Sequence, residues 1–154
     1  MVRLVHPVAG TLALLTIVTF WLSTALVELS GHMPTIIMVK QAIPWGFLLL
    51  IPALAMAGAS GHALNRGRKA GLGVVKKKRM PFIALNGLLI LMPSAFFLAW
   101  KAGQGQFDTA FYGVQAIELL AGAINIALLG LNMRDGLRMT GRTRRSRRGR
   151  QITT

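Results

Sequence analysis

The sequence predicts an all-α integral membrane protein, an up-down-up-down four-helix bundle with both chain ends on the cytoplasmic side. Three observations carry that expectation. The first is composition: 53% of the 154 residues are hydrophobic, yet the formal net charge is +14. Mean hydropathy is +0.54. A soluble domain of this size rarely combines the two, whereas a membrane protein segregates them, apolar in lipid and basic at its surface. The second is a set of four apolar stretches, at residues 5–29, 36–64, 81–102 and 109–133. Each reaches the roughly 20 residues that cross a hydrocarbon core of about 30 Å. The third is where the basic residues fall along that pattern.

Each stretch reads as a helix because lipid leaves backbone groups no partner outside their own segment, and none of the four shows the strict alternation of a barrel strand. The first is longer than a signal-peptide core and only Arg3 precedes it, so it is read as a retained span. Pro7 and Pro81 suit first-turn positions, and Pro44, Pro52 and Pro93 are expected to kink the second and third spans. Short connections at residues 30–35 and 103–108 favour antiparallel neighbours.

Orientation follows from charge. Arg3, Arg66, Arg68, Lys69, Lys76, Lys77, Lys78, Arg79 and the arginines from Arg134 onward fall on one side of a four-pass chain. Only two of the 18 basic residues, Lys40 and Lys101, lie near the other. The positive-inside rule assigns the basic side to the cytoplasm and the chain to a bacterial inner membrane. Residues 1–140 form the transmembrane domain, and residues 141–154 a basic tail expected to be disordered. Directly after a span, such a tail is read as a contact to anionic lipid, worth about 1 kcal/mol per residue near the surface, and not as a specific nucleic-acid site.

The chain contains no cysteine, which excludes disulfides, thiolate metal sites and iron–sulfur clusters. It carries no phosphate-binding glycine loop, no HExxH and no Ser-His-Asp set on a water-facing scaffold. Hydrolytic and nucleotide chemistry are therefore not expected, and whether the protein is an enzyme stays open. Two polar constellations remain. His6 opens the first span and His62 closes the second, at the same depth in an antiparallel pair. Helical spacing places Gly10, Ala13, Ile17 and Phe20 below His6, and Gly58, Ala55, Ile51 and Leu48 below His62. Two neutral imidazoles can ligate a haem b iron, glycines let the macrocycle approach the backbone, and Arg3, Arg66 or Arg68 can pair with its propionates. The same small residues also serve plain helix packing, in which no cofactor is held. His32, in the turn before Pro34, is expected to be exposed.

The second constellation is Gln115, Glu118, Gly122, Asn125 and Asn132, which share one face of the fourth span. Exposing Glu118 to lipid is costly, so that face is expected to point inward, with Asn86 of the third span as a partner. Such a face relays protons, touches a quinone or other substrate, or fixes helix register.

In size, topology and the placement of His6 and His62, the chain resembles small bacterial four-helix membrane b-type cytochromes. The resemblance covers the first two spans. It implies electron transfer through a single haem b, with quinone or a larger membrane complex as partner. Two other functions stand beside it: a non-catalytic accessory or assembly subunit of a larger membrane complex, and a small oligomeric transporter built on Glu118.

Overall fold

The computed structural model describes the backbone of residues 2–64 and 72–150, and the side chains of residues 4–64 and 79–138. Arg66 and Arg68 lie outside the described residues, as do the side chains of Arg3 and of the tail arginines. The described chain is helical apart from two short connections. Helices α1 (Val2–Ser30) and α2 (Met33–Leu64) form a hairpin. Helix α3 (Leu72–Asn86) passes through a π-helical turn, Gly87–Leu91, into α4 (Met92–Gly103), and α5 (Thr109–Arg150) completes the bundle. Four segments are long and apolar enough to cross a membrane: Leu4–Ser30, Met33–Leu64, Arg79–Gly103 and Thr109–Arg138. The protein is a multi-pass α-helical membrane protein.

Glycines in the left-handed region reverse the chain at one end of the bundle, Gly31 at φ 64° and Gly105 at φ 67°. A side chain at either position would strain the turn. We call this the turn end, and the opposite one, where Arg79 and Arg134 lie, the basic end.

The face of α2 that meets α1 differs from the one expected. Buried on α2 are Ile36, Lys40, Ile43, Phe47, Leu50, Ala53, Ala57 and Ser60. Leu48, Ile51, Ala55 and His62, from the expected stripe, are exposed. Both stripes carry small residues, so closeness of approach does not choose between them. The observed phase buries more apolar surface through Ile43, Phe47 and Leu50, and it takes the charge of Lys40 out of lipid. Contact is close where glycine permits it: a Cβ on Gly46 would overlap Phe20 Cζ, and one on Gly61 would stand 2.9 Å from His6 Cε1.

The third span departs from expectation at its start. Helix begins at Leu72, so Pro81 lies inside α3 and not in a first turn. Further on, the Met92 N–H donates to the Gly87 carbonyl, five residues back, and Pro93 follows with no N–H of its own. At the C-terminus, α5 continues past residue 133, where the span was expected to end, and through the basic segment to Arg150. Arginine, leucine and methionine favour helix and no proline interrupts them, so the helix propagates from the span into residues expected to be disordered.

Helix α1 packs along α2 and α5, α2 packs on α4, and α3 packs on α5. The α3 helix stands apart from α2. The bundle is closed toward the turn end, by Ile36, Leu98, Ala102 and Phe111, and open between α2 and α3 toward the basic end.

Candidate functional site: a cleft between α2 and α3

A cleft of about 940 Å³ occupies the gap between α2 and α3. That is the upper range of pockets that enclose small ligands, roughly 300–1,000 Å³. Its walls are apolar and often small. Ala55, Gly58 and Gly61 line it from α2, Ala84 and Gly87 from α3 and the π turn, and Gly122 from α5. His62 and Met80 stand on its two sides near the basic end, and its floor reaches Trp21, Thr24, Glu118 and Asn125.

Glu118 is the ionisable group at that floor. Lys40 Nζ donates to Glu118 Oε2 at 2.7 Å, with side-chain exposures of 1% for the lysine and 12% for the carboxylate. A lysine within an apolar span is tolerated only with such a partner. On α1, Glu28 Oε1 is buried without a hydrogen-bond partner among the described residues. Sequence reasoning missed Lys40 and Glu28. Helical spacing held the signal, since Lys40 is in phase with Ile43, Phe47 and Leu50, and Glu28 with Trp21 and Thr24.

The polar face of α5 turns inward. Asn86 donates to Asn125 Oδ1 and to the Ala121 carbonyl, both at 2.9 Å, tying α3 to α5. Trp21 Nε1 donates to the Leu119 carbonyl at 2.8 Å and lies against Gly122, where a Cβ would come within 2.9 Å of its ring. Gln115 and Asn132 are 4% and 3% exposed, and neither amide has a hydrogen-bond partner among the described residues. At the basic end Arg79 donates to Asp135 at 3.0 Å. At the turn end Lys101 and the Phe111 N–H both donate to Asp108. Those two hydrogen bonds hold the Asp108 carboxyl below the usual carboxylate range.

The two histidines do not share a slot. His6 Nδ1 lies 3.0 Å from the Ala57 carbonyl, which can only accept, so this nitrogen carries the proton. It also lies 3.2 Å from Ser60 Oγ, and the ring rests on Gly61 between α1 and α2. His62 is exposed and faces the cleft, about 100° further round α2. One iron cannot be bracketed by rings on two different faces of α2, and the His6–Ala57–Ser60 contact leaves a porphyrin no space there. Gly58, expected to face α1 beneath His62, lines the cleft instead, and a Cβ on Gly10 or Gly58 would meet no atom within 4 Å.

No family model, no curated protein and no solved structure matches the chain.

Proposed function

We propose that this protein binds a lipophilic small molecule in the cleft between α2 and α3, its polar head at Glu118 and its tail toward the bilayer. The observation that carries the reading is the combination of volume and lining: an apolar cleft of about 940 Å³ that ends on a carboxylate held by Lys40. Ligand sites pair apolar walls with a few placed polar groups, and an ionisable residue kept inside a membrane bundle marks function by default. We further propose a bacterial inner membrane with both ends cytoplasmic, supported by the bias of basic residues.

Photolabelling tests the binding reading. A short-tailed azidobenzoquinone, activated in proteoliposomes, should label cleft residues such as Ala55, Ala84 and Leu88, and excess unlabelled quinone should suppress that labelling. Label spread over the lipid-facing Leu22, Trp45 and Leu120, without competition, would contradict it.

A second reading keeps single-haem electron transfer, favoured by one observation: His62 and Met80 line the same cleft. His62 and Met80 would hold the haem iron through their nitrogen and sulfur, and the group would supply one-electron transfer. His62→Ala and Met80→Ala should then each alter the reduced-minus-oxidised visible spectrum, while His6→Ala should leave it unchanged. A protein that stays colourless after haem is supplied removes this reading and leaves the first standing.

A further inference from the structure

Among the described residues, the polar side chains that line the cleft are Trp21, Thr24, His62, Glu118 and Asn125. His62 stands near the basic end, and the other four are at the floor. Most of their donors are already spent inside the protein. Trp21 Nε1 donates to the Leu119 carbonyl at 2.8 Å. Asn125 Nδ2 donates to the Ile83 carbonyl at 3.4 Å, and its Oδ1 accepts from Asn86 at 2.9 Å. The Thr24 hydroxyl can both donate and accept, so it favours neither kind of ligand. Glu118 differs from all of these: only its Oε2 is taken by Lys40, and a carboxylate accepts without donating. The floor of the cleft is therefore biased toward accepting.

Charge fixes a second property of the head. Lys40 and Glu118 pair at 2.7 Å, so their charges cancel. Lys40 is 1% exposed and is not among the lining residues, so a ligand meets the carboxylate and not the ammonium. An anionic head would be set against that carboxylate. A cationic head would carry an unbalanced charge between apolar walls. A neutral head that gives one hydrogen bond leaves the pair balanced and occupies the remaining oxygen. Hydrogen bonds to a charged acceptor are the stronger kind, the more so where water is excluded. Phe20, Trp21 and Phe47 also line the cleft, which favours an aromatic head over an aliphatic one.

We propose that the cleft selects neutral amphiphiles with a phenolic hydroxyl, which donates to Glu118 Oε1 while the tail lies against the apolar walls. The inference rests on the binding reading above and adds the direction of the hydrogen bond. A head that only accepts, such as a quinone or an aryl ether, binds more weakly than the hydroxyl compound of the same shape. Of a quinone and its hydroquinone, the cleft prefers the hydroquinone.

The test compares para-dodecylphenol with para-dodecylanisole, which share ring and tail and differ in the one donor. Each competes, at equal mole fraction in the bilayer, with azidobenzoquinone labelling of Ala55, Ala84 and Leu88 in proteoliposomes. The phenol should suppress labelling at a concentration about tenfold or more below the ether, the scale of a hydrogen bond to a charged group. In Glu118→Gln, Lys40 keeps the amide oxygen and an N–H donor takes the place of Oε1, so the preference should vanish or reverse toward the ether. Trp21 emission in a Trp45→Phe/Trp100→Phe background reports whether that variant is folded. If it is not, Lys40→Met/Glu118→Leu removes both charges together and should bring the two ligands to parity. Equal suppression by the two compounds in the parent protein, or a preference unmoved in a folded variant, would overturn the donor inference alone. Labelling that neither compound suppresses would instead overturn the cleft reading beneath it.

Discussion

Lys40 shows how one residue can set the phase of a helix. It is 1% exposed in the turn-end half of an apolar bundle, and Glu118 is the partner that makes the burial tolerable. Removing one partner of a buried pair strands the other, at a cost of about 3–5 kcal/mol, whereas removing both is often nearly neutral. We therefore expect Lys40→Met to destabilise the bundle strongly in denaturant titrations, and Lys40→Met/Glu118→Leu to recover most of the loss. Equal stability of the single and double variants would mean that the pair does not anchor α2. Asp108 gives the turn end an acid-side pH dependence. Its folded-state carboxyl is held below the usual range by Lys101 and the Phe111 N–H. The stabilisation it gives is thus present above the ordinary carboxylate pKa, near 3.9, and is lost as pH falls through the lower folded value. Asp108→Asn should remove that acid-side dependence from the unfolding profile. An unchanged acid limb would place the dependence elsewhere.

The four apolar stretches were readable in the sequence because length and hydropathy are local properties. The rotation of each helix was not. On α2 two stripes compete, Leu48-Ile51-Ala55-Gly58-His62 and Phe47-Leu50-Ala53-Ala57-Ser60, and each has small residues at helical spacing. The choice between them depends on Lys40 meeting Glu118, 78 positions away. The π turn was not legible either. Pro93 announced a kink, but a proline does not say whether the helix merely bends or takes up an extra residue, as it does between Gly87 and Leu91. By contrast, the inward face of α5 was legible, since only one arc holds Gln115, Glu118, Asn125 and Asn132. That face gives an element-scale prediction at Gly122, where a Cβ would stand 2.9 Å from Trp21 Cδ1. Gly122→Leu should drive the indole from its place, break its bond to the Leu119 carbonyl and shift Trp21 emission to the red in a Trp45→Phe/Trp100→Phe background. An unshifted spectrum would show that α1 and α5 are not in such close contact.

At the scale of the whole molecule, the bundle is tight along α1–α2 and α1–α5 and parted between α2 and α3. Closing that gap would remove the cleft, and with it the access of any ligand to Glu118. Orientation is a separate question, and a reporter fused after Thr154 should be active only on the cytoplasmic side. The gap itself is tested most directly by cysteine cross-linking, because the chain has no cysteine of its own and each introduced pair reports alone. Three double variants suffice: His6→Cys/Gly61→Cys across α1 and α2, Trp21→Cys/Gly122→Cys across α1 and α5, and Gly58→Cys/Ala84→Cys across the cleft. Copper phenanthroline in native membranes should oxidise the first two pairs to disulfides and leave the third reduced, since a disulfide forms only where Cα atoms come within about 7 Å. Ready oxidation of the Gly58/Ala84 pair would mean that α2 and α3 close on one another and that no cleft leads to Glu118.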